Sequence, residues 1–155
     1  MSKKWDGHFI ELATQIAKMS KDPSTQVGAV MVGSDREILS TGFNGFPRGI
    51  EDTLERLTNR DLKLSLIVHA EMNAILQAAR NGVSTKGRKL YLAATDGGGQ
   101  VWGGPPCTRC TVEIIQSGVS EIISPPLGTG FPNWKASIEA SFALLKEAGV
   151  VYREV

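Results

Sequence analysis

The two cysteines of the chain, Cys107 and Cys110, are the feature that most constrains its fold. They follow Pro106, a residue that suits the first turn of a helix, so we predict a helix over 107–116. Cysteines at this spacing on a helix project from the same face, and both sulfurs can reach one metal ion. The unpaired amides of a helix N-terminus also favour thiolates there. The fold must therefore bring further ligands to this helix.

A second motif, His69-Ala70-Glu71, opens another predicted helix over 70–79. The imidazole of His69 completes a set of three ligands with the two sulfurs. Three protein ligands leave a tetrahedral zinc with one open position, which is typical of a catalytic site. Zinc lowers the pKa of water to about 7, and Glu71 is placed to take a proton from that water and deliver it elsewhere. The pattern predicts hydrolytic chemistry.

Two other interpretations of the cysteine pair stay open. A redox dithiol needs a thioredoxin-like context and leaves His69 and Glu71 unexplained. A structural zinc needs a fourth protein ligand, and the only other histidine, His8, lies in a predicted amphipathic helix. Glu71 taken alone is more typical of a solvated helix carboxylate. The combination of motifs favours the catalytic zinc.

Composition limits the size and the partners of the protein. A chain of 155 residues with 41% hydrophobic residues can bury one core, so we predict a single domain over 1–155. A net charge of +1 gives no field that gathers nucleic acid. The longest uncharged stretch, 122–134, is broken by prolines and glycines, and the first ten residues contain no apolar leader. We expect a cytoplasmic protein that binds a small molecule, with no nucleic-acid or membrane partner.

Hydrophobic periodicity and turn residues predict an α/β fold. The second half alternates helix and strand through short connections, which predicts parallel strands covered by helices. The first two strands flank a turn and should form an antiparallel hairpin. The predicted helices are 5–19, 70–79, 107–116 and one capped by Asn133; the strands are 27–32, 38–43, 89–94, 121–124 and 150–155; 44–49 and 97–106 are irregular, and 51–63 is a solvated, partly helical insertion.

The motifs resemble the cytidine and deoxycytidylate deaminase family, in which His-x-Glu accompanies Pro-Cys-x-x-Cys. The resemblance covers nearly the whole chain. Asn73, the Gly-Phe-Asn-Gly loop at 42–45 and the charged stretch before His69 favour its dCMP deaminase group. The four matching segments are 22–30, 41–49, 69–75 and 106–110.

The resemblance implies a three-layer α/β/α sandwich on a mixed five-stranded sheet. It implies hydrolysis of dCMP to dUMP and ammonia, which supplies dUMP for thymidylate synthesis, and a homo-oligomer such as the hexamers common in the family. One zinc per subunit is expected, because 45–68 contains neither Cys nor His. The implied residues are His69, Cys107 and Cys110 as zinc ligands, Glu71 as proton shuttle, Asn44 near the sugar, Ala70 against the substrate, and Arg48, Lys21, Ser24 and Thr25 as candidates for the phosphate.

Two loops depart from the family pattern and leave the substrate open. Residues 125–132 replace a segment that often supplies a stacking tyrosine, and 97–104 is longer than usual. Trp102, Phe131 or Trp134 is a candidate for the aromatic face. Alternative substrates are dCTP, a 5-modified dCMP or a base in RNA. A regulatory subunit without turnover is a further alternative, although Glu71 and all three ligands are present.

Overall fold

The computed structural model describes residues 2–96, 98–128 and 134–155. Within these ranges, no helix combines the length and the apolar character needed to cross a bilayer. The helices are α1 (Lys3–Ala17), α2 (Leu54–Thr58), α3 (Arg60–Leu66), α4 (Ala70–Arg80), α5 (Thr108–Ser117) and α6 (Lys135–Ala148), and the strands are β1 (Gln26–Val32), β2 (Ile38–Phe43), β3 (Lys89–Thr95), β4 (Val101–Trp102), β5 (Glu121–Ser124) and β6 (Val151–Glu154).

The strands form one mixed sheet in the order β2-β1-β3-β5-β6. Strand β1 pairs antiparallel with β2 and with β3, whereas β3 with β5 and β5 with β6 are parallel. The predicted hairpin and the predicted parallel pairing of the second half are both confirmed. Residues of α4 and α5, the helices of the two motifs, share one core cluster with residues of the inner strands β1, β3 and β5.

The segment 97–106 was predicted to be irregular, and that prediction is wrong at one place. Strand β4 runs antiparallel to the end of β3, with Val101 opposite Thr95 and Trp102 opposite Ala94. On the same edge of β3, β5 covers only residues 89–91. The remaining edge is available for pairing, so a short sixth strand joins the predicted five-stranded sheet.

Two core clusters lie on opposite faces of the sheet, because successive strand residues point in opposite directions. Leu90 and Leu92 of β3 belong to a cluster with residues of α4 and α5. Tyr91 and Ala93 belong to a cluster with Phe9 and other residues of α1. Helices thus cover both faces, and the expected three-layer α/β/α arrangement is confirmed.

A buried ionic group fastens α1 to the far end of the chain. Asp6 is 1% exposed; its carboxylate accepts a hydrogen bond from the Tyr91 hydroxyl (2.8 Å) and two from Arg153 (3.0 and 3.2 Å). Arg153 also donates to Glu121 of β5 (2.8 Å). Burial tends to raise the pKa of Asp6, but the hydrogen bonds from Arg153 and Tyr91 outweigh it and lower that pKa. Asp6 is therefore ionised in the folded protein.

We predict that Asp6→Asn lowers the free energy of unfolding by about 3 kcal/mol, since it leaves a partly buried arginine without its main counter-charge. The folded pKa of Asp6 lies below the unfolded value of about 3.9. Its stabilisation is therefore present above about pH 4 and is lost as the pH falls through the folded pKa. Urea unfolding across pH should show this acid-dependent loss in the wild type and a smaller loss in the variant.

The matched control is Glu139→Gln, which removes an exposed carboxylate paired with Lys135 at 3.8 Å. Its effect should stay within about 0.5 kcal/mol. Equal unfolding free energies for the wild type and Asp6→Asn would contradict the role given to this ionic group.

Candidate active site

The structure brings together the three predicted metal ligands. His69 is the N-cap residue of α4, Cys107 is the N-cap residue of α5, and Cys110 lies buried in the first turn of α5. His69 Nδ1 lies 3.2 Å from Cys110 Sγ and 3.5 Å from Cys107 Sγ. One ligand atom from each residue falls within 4.8 Å of the others, which is the only such group of His, Cys, Asp and Glu among the described residues.

Close packing of α4 on β2 sets the position of His69. Gly42 of β2 lies directly beneath the first turns of α4, where any side chain would meet the Ala70 carbonyl oxygen and the Ala74 nitrogen. The Ser40 hydroxyl donates to the Ala74 carbonyl (2.8 Å), and the Asn73 amide donates to the Phe43 carbonyl (2.7 Å). The helix start is thus held on the sheet by contact and by hydrogen bonds from both sides.

Hydrogen bonds to serine and threonine hydroxyls between α5 and α6 hold the start of α5, the helix that carries Cys110. The Thr108 amide donates to Ser137 Oγ (3.0 Å), and the buried Thr111 and Ser141 hydroxyls lie 2.6 Å apart. Thr111 Oγ1 also donates to the Cys107 carbonyl (3.0 Å). Nothing in the local sequence distinguishes these residues from surface hydroxyls, so sequence analysis missed them.

The start of α6 differs from the sequence prediction in one respect. The predicted cap, Asn133, lies outside the described residues. Trp134 holds the N-cap position, with no side-chain hydrogen bond to the helix.

The site favours one thiolate even without a metal. A hydrogen bond from the Cys110 thiol, with a further one from His69, lowers the pKa of Cys107 to about 4 although burial opposes the shift. The same Cys–Cys hydrogen bond, together with burial, raises the pKa of Cys110. The hydrogen bond with Cys107 raises the pKa of His69. Two sulfurs and an imidazole at these distances suit zinc, which binds such donors in tetrahedral sites.

Glu71 lies in the first turn of α4, two residues after His69, and is 7% exposed. Burial raises the pKa of this carboxyl, while the positive charge of His69 acts in the opposite direction. A carboxyl with a raised pKa exchanges protons nearer to neutral pH than an ordinary glutamate does. Glu71 can therefore both accept and return a proton at this position.

A cavity of about 630 Å³ opens beside these groups. His69, Glu71 and Cys107 line it, and so do the predicted substrate residues Ala70, Asn44, Ser24 and Thr25. Trp102 and Trp134 also line it, whereas Phe131 lies outside the described residues. The volume is in the range of small-ligand pockets.

Asn44 serves the local structure as well as the cavity. Its buried amide accepts a hydrogen bond from the Val27 backbone (2.7 Å) and donates one to the Thr25 carbonyl (2.9 Å). These bonds fix the start of β1 against the loop after β2. An amide nitrogen has two N–H groups, so one donor remains beyond the bond to Thr25.

The cationic residues of the cavity are not the ones that sequence analysis selected. Arg48 is exposed near the turn that Pro47 and Ile50 close, and it is not among the lining residues. Lys21 pairs with Asp52 at the surface. Arg60 and Lys63 of α3 line the cavity instead. Leu64 and Ile67 also line the cavity, and these four residues follow the spacing of one helix face. That spacing is the sequence pattern that could have identified Arg60 and Lys63.

Comparisons with known proteins agree with this geometry. A family model described as the cytidine and deoxycytidylate deaminase zinc-binding region matches residues 3–124. The chain is 36% identical to an uncharacterized deaminase of Aliivibrio fischeri, over 97% of this chain and 92% of that protein. It is 33% identical to deoxycytidylate deaminase of Mus musculus and 34% to that of Homo sapiens, in each case over 97% of this chain and 79% of the relative.

A solved structure has the same fold. The dCMP deaminase of the cyanophage S-TIM5, in a complex with dCMP and dUMP, superposes with a TM-score of 0.76. The match covers 100% of this chain and 99% of that one, at 23% sequence identity. At this level of sequence identity, the similarity establishes the fold alone.

We predict that Gly42→Ala displaces the start of α4 and weakens metal binding. The added methyl overlaps the α4 backbone, so the free energy of unfolding should fall by about 1–3 kcal/mol. Zinc retained by the purified protein after dialysis against a chelator should fall with it. Both are measured directly, by urea unfolding and by elemental analysis.

The matched control is Gly7→Ala, the same substitution in the exposed face of α1, where an added methyl meets nothing within 4 Å. It should stabilise the protein by roughly 0.5–1 kcal/mol because glycine is unfavourable inside a helix. Wild-type zinc retention and stability in Gly42→Ala would refute the proposed dependence on close packing.

Proposed function

Because the chain belongs to the cytidine and deoxycytidylate deaminase zinc-binding family, we propose that it catalyses the hydrolysis of dCMP to dUMP and ammonia with one zinc ion per subunit. The observation that carries the proposal is the convergence of His69, Cys107 and Cys110 beside the buried Glu71, at a cavity of about 630 Å³. The mouse and human relatives that are named deoxycytidylate deaminase support dCMP as the substrate. Its product dUMP is a precursor for thymidylate synthesis.

His69, Cys107 and Cys110 would hold the zinc. When bound, zinc supplies Lewis acidity, which makes water a nucleophile at neutral pH. The remaining chemistry is proton transfer. Glu71 lines the cavity together with His69 and Cys107, and its carboxylate would carry the protons. Its burial keeps the carboxyl pKa raised, so the proton it takes can be given up again within the same turnover.

The balance of the reaction assigns two transfers to Glu71. Water adds its oxygen to C4 of the cytosine ring, and the carboxylate accepts one proton from it and delivers that proton to ring nitrogen N3. The second proton of the water passes by the same carboxylate to the amino group. The C4–N bond then breaks, ammonia leaves, and the C4 oxygen becomes the carbonyl of uracil.

The walls of the cavity would orient the nucleotide for this attack. The remaining N–H of Asn44 is a donor for the sugar, and the Thr25 hydroxyl is a further donor among the lining residues. Ser24 also lines the cavity, but its hydroxyl hydrogen is donated to Asp22 (2.7 Å), so it offers its oxygen only. Ala70 borders the cavity and is fully buried, so its small side chain leaves room for the base. Trp102 and Trp134 provide aromatic faces in the same cavity.

Assembly and location are finer parts of the proposal. An exposed apolar groove between α4 and α5, which includes Met72, Ile75 and Val112, supports a homo-oligomer in which a second copy covers it.

A cytoplasmic location is supported by the two free cysteines, because thiols stay reduced there and available to a metal.

We predict that Glu71→Gln lowers kcat for dCMP by about 10²- to 10⁴-fold, the range that general acid–base catalysis contributes. The amide keeps the size of the side chain but cannot accept the proton. Ammonia release and dUMP formation measure the rate, and elemental analysis should still find zinc.

The matched control is Glu139→Gln on α6, where the exposed carboxylate pairs with Lys135 and lines neither the cavity nor the groove between α4 and α5. Its turnover should match the wild type. Full activity in Glu71→Gln with zinc bound would defeat the role assigned to this residue.

A further inference from the structure

One wall of the cavity is a single helical stripe. Arg60, Lys63, Leu64 and Ile67 all line it, and their spacing of three, four and seven residues places them on one face of α3 and its C-cap. The insertion between Asn44 and His69 thus contributes one face of α3 to the site.

Lys63 fixes this wall in place. Its ammonium group donates to the Asp22 carboxylate (3.2 Å) and to the Ser24 hydroxyl (3.2 Å), and its side chain is 15% exposed. Asp22 also accepts from the Ser24 hydroxyl (2.7 Å) and backbone (2.8 Å). The charge of Lys63 is therefore neutralised by a carboxylate, and its effect is to hold α3 against the loop before β1.

Arg60 is in the opposite situation. Its guanidinium forms no ion pair or side-chain hydrogen bond with any described residue, and Arg60 and Lys63 are the only Lys or Arg residues that line the cavity in the described part of the chain. Arg60 is exposed to solvent, and its planar guanidinium is suited to carboxylate and phosphate oxygens. This charge is available to a ligand.

The length of α3 separates Arg60 from the metal-binding residues. An α-helix rises 1.5 Å per residue, so Arg60 lies roughly 10 Å along the wall from Ile67. Ile67 precedes His69 by two residues, which places it at the metal end of the cavity. One end of the cavity therefore carries the ligands and Glu71, and the other carries an uncompensated positive charge.

From this polarity we infer that Arg60 binds the 5′-phosphate of the substrate and makes the site selective for a nucleotide over the free nucleoside. Lys63 is a positioning residue that holds α3, and Arg60 with it, through Asp22. The inference rests on the proposed function and assigns its phosphate recognition to α3. The 47–50 turn, which contains Arg48, is not part of this wall.

The experiment compares R60Q, R60K, R56Q and R48Q with the wild type. Steady-state kinetics with dCMP and with deoxycytidine give kcat and KM for each protein. For R60Q, KM for dCMP should rise about 10- to 100-fold, as expected for the loss of charge-assisted hydrogen bonds, with little change in kcat. The parameters for deoxycytidine should stay the same, and R60K should recover part of the loss for dCMP.

R56Q is the matched control. Arg56 lies in the same insertion, but it donates to the Glu51 carbonyl (2.7 Å) and does not line the cavity. Its KM for dCMP should equal that of the wild type. Equal losses for dCMP and deoxycytidine in R60Q, no change in R60Q, or loss of phosphate selectivity in R48Q instead would each overturn the inference.

Calorimetric titration with dCMP and deoxycytidine separates this inference from the proposed function. If the wild type binds dCMP more tightly than deoxycytidine, R60Q removes the difference, and no protein releases ammonia, then Arg60 has its role and the deaminase proposal fails. If the wild type deaminates dCMP but binds both ligands equally, the inference about Arg60 fails alone.

Discussion

The distance between α4 and the sheet is the constraint on which the rest of the site depends. His69 and Cys107 are 38 residues apart in sequence, and their side chains meet only because two helix starts approach the same point. Gly42 permits that approach on one side, and the hydroxyl pairs between α5 and α6 fix the other. Packing sets the geometry of the ligands, and their chemistry follows from it.

The site lowers the pKa of Cys107 and raises the pKa of Glu71. Hydrogen bonds to Cys107 stabilise its thiolate, whereas burial makes the charged form of Glu71 less favourable. A ligand must stay deprotonated, and a proton carrier must gain and lose its proton. Cys107 and Glu71 therefore suit these two different tasks, although both residues lie in the first turn of a helix or at its cap. Cys110, whose pKa is raised, would lose its proton when the metal binds.

Sequence analysis predicted what local patterns control. The helices that carry the two motifs, the hairpin and the parallel strands follow from periodicity and turn residues, and the structure confirms them. Strand β4 was missed because it depends on a free edge of β3, which only the assembled sheet creates. Arg60 was missed because the contact that turns α3 toward the cavity, Lys63 to Asp22, joins residues 41 apart. The order of residues alone does not decide which arginine faces a cavity.

X-ray absorption at the zinc edge of the purified wild-type protein tests the central claim most directly. The convergence of His69, Cys107 and Cys110 predicts about one zinc per chain, with two sulfur ligands and the remaining positions filled by nitrogen or oxygen. A protein without zinc, or a zinc without sulfur in its coordination shell, would contradict the account.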